Sequence, residues 1–335
     1  MTTPLLEVRD VVKHFPVRAG AVLRRQVGSV HAVDGVSLSV QRGETFGLVG
    51  ETGCGKSTLA RCITGLQAVT SGHVLIDGEE ITGLSRSALR PYRRRMQMVF
   101  QDPYGSLNPR RPVGAIIGDP FAIHHVADGG MRRRRVQELM ELVGLNPEHY
   151  NRFPAEFSGG QRQRIGVARA LALQPSLVVC DEPVSALDVS VQAQIINLLD
   201  DLQDELGLTI VFIAHDLSVV RYVSDRVGVM YLGKLVEIAE TGELYARPRH
   251  PYTAALLSAA TPPDPDLADR RERVILTGEV PSPISPPSGC RFHPRCPRAQ
   301  QICSLDEPPL ETASGADASH RSACYFPLAP GERLT

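Results

Sequence analysis

The sequence predicts an α/β protein built on a largely parallel sheet, and three observations carry that prediction. Apolar runs of strand length alternate with longer helical patterns over residues 1–260. One of these runs, TFGLVG (45–50), leads straight into the glycine-rich stretch GETGCGKST (50–58). Two others, SLVVCDEP (176–183) and TIVFIAHD (209–216), finish in acidic or histidine side chains where a buried strand would leave its sheet.

Taken in order, TFGLVG reads as a buried strand, and a helix follows from about Lys56. HVLIDG (73–78) and MQMVFQ (96–101) are strand-like. Residues 104–175 are mostly helical in pattern, with Pro and Gly breaks, and read as an inserted helical subdomain. After SLVVCDEP, the residues Val191, Ile195, Leu198, Leu199 and Leu202 recur at helical spacing and predict one apolar face. The proline-rich TPPDPD (261–266) closes this first domain, 1–260, and a small tail domain rich in Pro and Cys occupies 261–335.

Composition narrows the function classes. With 42% apolar and 22% charged residues the chain is globular, and a formal net charge of -1 argues against a nucleic-acid binder. No run of 18 apolar residues occurs, so no membrane span is expected, and the opening MTTPLLEVRD has neither the basic nor the apolar segment of a secretion signal. Cys54, Cys62 and Cys180 lie alone among small or apolar neighbours and suit a reading as cytosolic thiols. The arginine runs 93–95 and 132–135 read as solvated faces.

Gly50-x4-Gly55-Lys56-Ser57 fits the phosphate-binding P-loop pattern, and the strand before it and helix after it supply the context the pattern needs. The loop Gly50, Glu51, Thr52, Gly53, Cys54 and Gly55 would turn its backbone N–H groups towards a polyphosphate, and the helix N-terminus adds unpaired donors. Lys56 would reach the β/γ-phosphates, Ser57 would ligate Mg²⁺, and Thr58 would add a hydroxyl. Asp181 is placed to hold Mg²⁺. Glu182 beside it is placed to take a proton from an attacking water, and His215 to donate to the γ-phosphate.

FSGGQRQR (157–164), CDEP (180–183), SALD (185–188), Gln101 and His215, in company with the P-loop, resemble the ATP-binding subunit of ABC transporters over residues 5–240. That resemblance implies a P-loop NTPase cassette using ATP and Mg²⁺. It implies that Ser158, Gly159, Gly160 and Gln161 open a helix that closes on the γ-phosphate of a facing subunit. It implies that Asp188 joins the facing sites and that Gln101 senses Mg²⁺ and the membrane partner. An aromatic ahead of the P-loop stacks on adenine in this family, and Phe15 is the best-placed candidate.

VFQDPYGSLNPR (99–110), EPVSALDVSVQAQIINLL (182–199), HPYTAALLSA (250–259) and GEVPSPISPPSGCRFHPRCP (278–297) look like the dipeptide/oligopeptide importer branch. Within it, KHFPV (13–17) and DPYGSLNPR resemble the second of two different ATPase subunits. The implied partners are two transmembrane permease subunits, a second and different ATPase subunit, and an extracytoplasmic solute-binding protein. The implied location is the cytoplasmic face of the membrane, peripherally bound, with no nucleic acid involved. A nickel chelate or a sugar is the alternative cargo, and a soluble ABC ATPase or an ATP-binding regulatory module is the alternative class.

Cys290, Cys296, Cys303 and Cys324 crowd the tail. Four thiolates suit Zn²⁺ or an iron–sulfur cluster, although the C-x2–4-C knuckles usual for structural zinc do not occur. The resembling importer subunits carry this pattern, and in some the tail holds a [4Fe-4S] cluster. Zinc, free thiols and a disulfide stay open, and His293 is an alternative ligand. Set apart in its own domain, the tail would leave nucleotide binding unaffected if its cysteines were lost.

Overall fold

The computed structural model describes residues 3–19, 25–102, 104–259, 276, 278–312, 319–332 and 334. The TPPDPD break at 261–266 lies outside them. The contacts divide the chain into two compact units, one holding residues 3–5, 41–44 and 84–213 and the other residues 6–40, 45–83 and those from 214 onward.

The first unit is built on three parallel strands, numbered here in chain order: β6 (Met96–Val99), β7 (Leu177–Asp181) and β8 (Thr209–Ile213). In register, Met96 faces Leu177, and Leu177 faces Thr209. Every residue of β7 and β8 is buried, which is why both read as unbroken apolar runs and not as alternating ones. Between β6 and β7 the described elements are helical only: α3 (Val113–Ile123), α4 (Gly129–Leu142), two short 3₁₀ turns and α5 (Gly159–Leu171). α4 buries only Val136 and Met140 and leaves most of its arginines in solvent, with Arg134 paired to Glu138 one turn on.

The long α6 (Val189–Leu206) covers the sheet. Its buried face is Ile195, Ile196, Leu199 and Leu202. The expected stripe is thus rotated: Ile196 is inside, whereas Leu198 and Val191 are half-buried. Leu199 and Leu202 meet Leu171 of α5 and Val178 and Ile210 of the strands around a small apolar void. Each such side chain contributes about 1.5–3 kcal/mol by leaving water.

The second unit departs from the parallel expectation. β1 (Leu6–Ala19), β2 (Arg25–Val40), β4 (Ser71–Ile76) and β5 (Glu79–Glu80) form an antiparallel sheet in the order β2-β1-β4-β5. Beside it, β3 (Thr45–Val49) pairs in parallel with β9 (Arg226–Tyr231), and β9 pairs antiparallel with β10 (Lys234–Glu240). The β9–β10 hairpin turns on Leu232 and Gly233, with φ of 44° and 84°. Two positive-φ residues in a two-residue loop match the right-handed twist of the strands.

The cysteine-rich tail continues this sheet. β12 (Arg321–Ser322) pairs with β10, placing Ser322 opposite Glu237, and β11 (Glu311–Thr312) pairs with β12. Glu237 is fully buried and is the pin of this junction. It accepts the backbone N–H groups of Arg249 at 2.7 Å and His250 at 2.9 Å, and lies 2.7 Å from His320 Nε2. A buried carboxylate is tolerable only with such a set of partners. The sequence reading set the tail apart from the glycine-rich loop; the pairing of β12 with β10 puts both in one compact unit.

Candidate functional site

In the second unit, β3 delivers the chain to the glycine loop and α1 (Lys56–Ile63) leaves it. Gly50 and Gly55 have φ of 155° and 110°. A Cβ at Gly50 would come within 2.1 Å of the Met230 carbonyl oxygen, and one at Gly55 within 1.9 Å of the Ala32 carbonyl oxygen. Only glycine fits there. The N-cap of α1 is Gly55, which offers no capping side chain, and a helix opens on backbone N–H donors that have no acceptor within the helix itself. An anion at that point would find donors already aimed at it.

Lys56 is buried and folded back across the loop. Its Nζ donates to the Gly50 carbonyl at 2.7 Å and the Glu51 carbonyl at 3.1 Å. Cys54 beneath it is buried, which pushes its thiol up. Thr52 and Gly53 are exposed at the loop's crest, and Ser57 and Thr58 are half-buried on the first turn of α1. His215 is exposed ahead of α7 (Leu217–Val223), and the preceding Ala214 donates its N–H to Leu48 of β3 at 3.2 Å. Phe15 is half-buried on β1, with Lys13 Nζ 4.9 Å from its ring centre.

In the first unit, Asp181 ends β7 and is buried, and Glu182 follows with its backbone at a φ of 47°. A non-glycine residue there is strained, and such strain gathers at working sites. The Glu182 N–H donates to Ile213 at the end of β8, and Gln101 Nε2 donates to Glu182 Oε2 at 2.8 Å. Two residues singled out from sequence, 81 positions apart, are therefore partners. Ser158 caps α5 reciprocally with Gln161: its hydroxyl accepts Gln161 N–H at 3.3 Å and its own N–H donates to Gln161 Oε1 at 3.0 Å. A Cβ on Gly160 would lie 2.3 Å from Val191 Cγ1, so Gly160 permits close approach of α6. Asp188 caps α6 through Val191 N–H at 3.0 Å, and that bond holds its carboxyl below the usual range.

All four tail cysteines line one pocket, together with Phe292 and His250. Burial pushes Cys290 up to about 11 and Cys324 up to about 12, and the neighbouring thiols add to both shifts. A metal bound by these two thiols would have to displace their protons. Among the described residues, the one group with three ligand atoms mutually within 4.8 Å is His14, His31 and Asp34. The cysteines thus are not gathered at the roughly 3.8 Å sulfur spacing that a single tetrahedral zinc requires. His293 turns its Nδ1 to the Cys290 carbonyl at 2.9 Å, a structural use.

Sequence reasoning missed three residues around the loop. Arg295 Nη1 reaches both carboxylate oxygens of Glu51, at 3.1 and 3.0 Å, and Tyr252 Oη accepts the Glu51 N–H at 3.0 Å. Tyr231 lies against both, its Oη 3.4 Å from Arg295 Nη1 and its ring 4.6 Å from that of Tyr252. The arginines flanking FHP in RFHPRCP were legible only as neighbours of cysteines.

Comparison with known proteins adds the following. Residues 33–185 match the ABC transporter family, and residues 236–303 match the oligopeptide/dipeptide transporter C-terminal region. The chain is 53% identical over 323 residues to the oligopeptide transport ATP-binding protein AppF of Bacillus subtilis, covering 96% of this chain and 97% of that one. It is 53% identical over 309 residues to the oligopeptide transport ATP-binding protein OppF of Escherichia coli, covering 92% of each. Among solved structures, the dimeric ADP- and Pi-bound ATP-binding cassette MJ0796 is similar with a TM-score of 0.63 and 29% identity, over 70% of this chain and 98% of that one. Another is cbiO1 of Clostridium perfringens, part of the ABC transporter complex cbiONQ, with a TM-score of 0.63 and 27% identity over 73% of this chain and 92% of that one.

Proposed function

The chain belongs to the ABC transporter family, and from that membership we propose that it is the ATP-hydrolysing subunit of an importer of oligopeptides or dipeptides. The observation that carries the reading is the extent of the match to the oligopeptide transport proteins, which runs through the glycine-rich loop and the tail alike.

In this reading Lys56 leaves the Gly50 and Glu51 carbonyls and turns to the β/γ-phosphates of ATP. It exchanges two backbone acceptors for charged oxygens, a charge-assisted and stronger set. The bare N-terminus of α1 and the loop N–H groups cradle the phosphates, and Thr58 adds its hydroxyl. Ser57, Gln101 and Asp181 would hold Mg²⁺, which supplies charge neutralisation on the transferred phosphoryl group. Glu182 accepts the proton of the attacking water, Gln101 fixes its carboxylate, and His215 donates to the γ-phosphate. Adenine stacks on Phe15.

Ser158, Gly159, Gly160, Gln161 and Asp188 face the nucleotide of a second, different ATPase subunit, and two permease subunits hold the pair at the cytoplasmic face of the membrane. A solute-binding protein delivers the peptide from outside. No described helix is long and apolar enough to cross a membrane, so the transmembrane path belongs to the permeases. Cys290, Cys296, Cys303 and Cys324, which line one pocket, would hold a [4Fe-4S] cluster, with zinc as the alternative. When bound, that group would staple the tail.

Uptake of a labelled oligopeptide tests the proposal, in cells that lack their own importer and express this chain with two permeases, a partner ATPase and a binding protein. The expected result is accumulation that Glu182→Gln abolishes. Accumulation indifferent to Glu182→Gln would refute the ATPase role. Accumulation of a nickel chelate or sugar in place of peptide would refute the cargo alone.

A further inference from the structure

The tail reaches the nucleotide loop through the segment between Cys290 and Cys296. Phe292 in this segment is fully buried, and its ring lies 5.3 Å from Tyr252 and 5.4 Å from Tyr231. Tyr252 in turn holds the Glu51 N–H. Arg295, on the same short 3₁₀ turn and one residue before Cys296, holds the Glu51 carboxylate with both oxygens engaged. Its side chain is 9% exposed and that of Glu51 25%, so this pair is better shielded from solvent than an ordinary surface ion pair. Glu51 is therefore held at its side chain by Arg295 of the tail and at its backbone by Tyr252, against which Phe292 of the tail packs. The Glu51 carbonyl is one of the two that Lys56 occupies before a phosphate arrives.

We propose that Arg295 is a positioning residue for the phosphate-binding loop: through Glu51 it holds the loop in its nucleotide-ready shape, and the cysteine-anchored tail thereby sets nucleotide affinity. The proposal rests on the nucleotide reading above. Without Arg295 the Glu51 side chain loses its ion pair and the residue is held through its backbone alone, by Tyr252, Cys54 and Lys56, so the Gly50–Glu51 carbonyls are ordered more fully only at the moment of binding. The cost of that ordering appears as weaker affinity. On this proposal the tail is coupled to the loop, so loss of its cysteines would weaken nucleotide binding, contrary to the expectation from sequence.

A double-mutant cycle on the full chain tests it, with Mg·ADP affinity read by calorimetry. Arg295→Met and Glu51→Gln should each weaken binding by about 5-fold or more, and the double variant should be no weaker than the worse single one. Arg295→Lys, which keeps the charge but not the two-oxygen reach, should recover part of the loss. In steady-state turnover Arg295→Met should raise KM for ATP far more than it lowers kcat, a split that loss of folded protein would not give. Unchanged or tighter binding in Arg295→Met, or losses that multiply in the double variant, would overturn the proposal. If Arg295→Met melts the tail, Glu51→Gln decides, since it alters the loop end of the pair and leaves the tail packing intact. A wild-type chain that binds no Mg·ADP would remove the nucleotide reading as well; binding that both variants preserve would remove this proposal alone.

Discussion

Replacing Glu182 by Gln changes one atom of the side chain and leaves its surroundings nearly as they are. Gln101 Nε2 donates to Glu182 Oε2 across 2.8 Å, and a glutamine carbonyl at the same place accepts that bond equally. The strained backbone at φ 47° and the Glu182 N–H bond to Ile213 do not depend on the side chain's charge. What disappears is the proton acceptor. General-base catalysis contributes typically about 10²–10⁴ in rate, or about 2.7–5.4 kcal/mol of barrier. Phosphate release by Glu182→Gln should therefore fall by at least about 100-fold while Mg·ATP affinity stays within about 3-fold of wild type. Turnover is followed by coupled phosphate detection with the partner subunit present, and affinity by equilibrium titration. Turnover within a few-fold of wild type would show that the base is another residue. Equal loss of binding would show that Glu182 holds the nucleotide and does not activate water.

Three further outcomes are expected. Gly55→Ala should abolish nucleotide binding and lower the melting temperature, because its Cβ would sit 1.9 Å from the Ala32 carbonyl oxygen at a φ of 110°. A fully binding, fully stable Gly55→Ala protein would refute the close-approach account. Burial holds His250 neutral, lowering it to about 4 from 6.5, so the stability it contributes is whole above pH 6.5 and is lost as pH falls towards 4. The integrated difference is about 3 kcal/mol, and a His250→Gln variant should lack that part of the acid sensitivity in thermal melts between pH 4 and 7. Protein purified without oxygen should carry about four irons per chain, and any one of Cys290→Ser, Cys296→Ser, Cys303→Ser or Cys324→Ser should lose them. Stoichiometric zinc without iron would exclude the cluster.

How much of this was legible in the sequence depended on whether the signal was local. β3, β7 and β8 could be read because strands buried on both faces must be apolar at every position, as LVVCD and TIVFI are. The glycine loop and the Ser158–Gln161 cap could be read because their chemistry lies within a few neighbouring residues. The β1–β2 hairpin could not, since its 14- and 16-residue strands include exposed and half-buried stretches where polar side chains break the pattern. The apolar face of α6 was read with Val191 and Leu198, which are half-buried, and without Ile196, which is buried, because either spacing suits a helix until a sheet chooses between them. Least legible was the grip on Glu51. Arg295 is 244 positions away and Tyr252 is 201, and nothing in either neighbourhood points to a glycine loop. The cysteines drew attention to the right segment for a different reason.

The measurement that bears most directly on the account is a titration of the purified full chain with Mg·ATP at low temperature, for wild type and Lys56→Ala. Lys56 is the one cation buried in the loop, held by two carbonyls at 2.7 and 3.1 Å, and on the proposed function it turns to phosphate oxygens. The account predicts one nucleotide per wild-type chain and a loss of affinity of at least about 10-fold in Lys56→Ala, the loss of a charge-assisted contact in a shielded site. Near-normal affinity in Lys56→Ala would contradict it, since the loop would then not be where the phosphates bind.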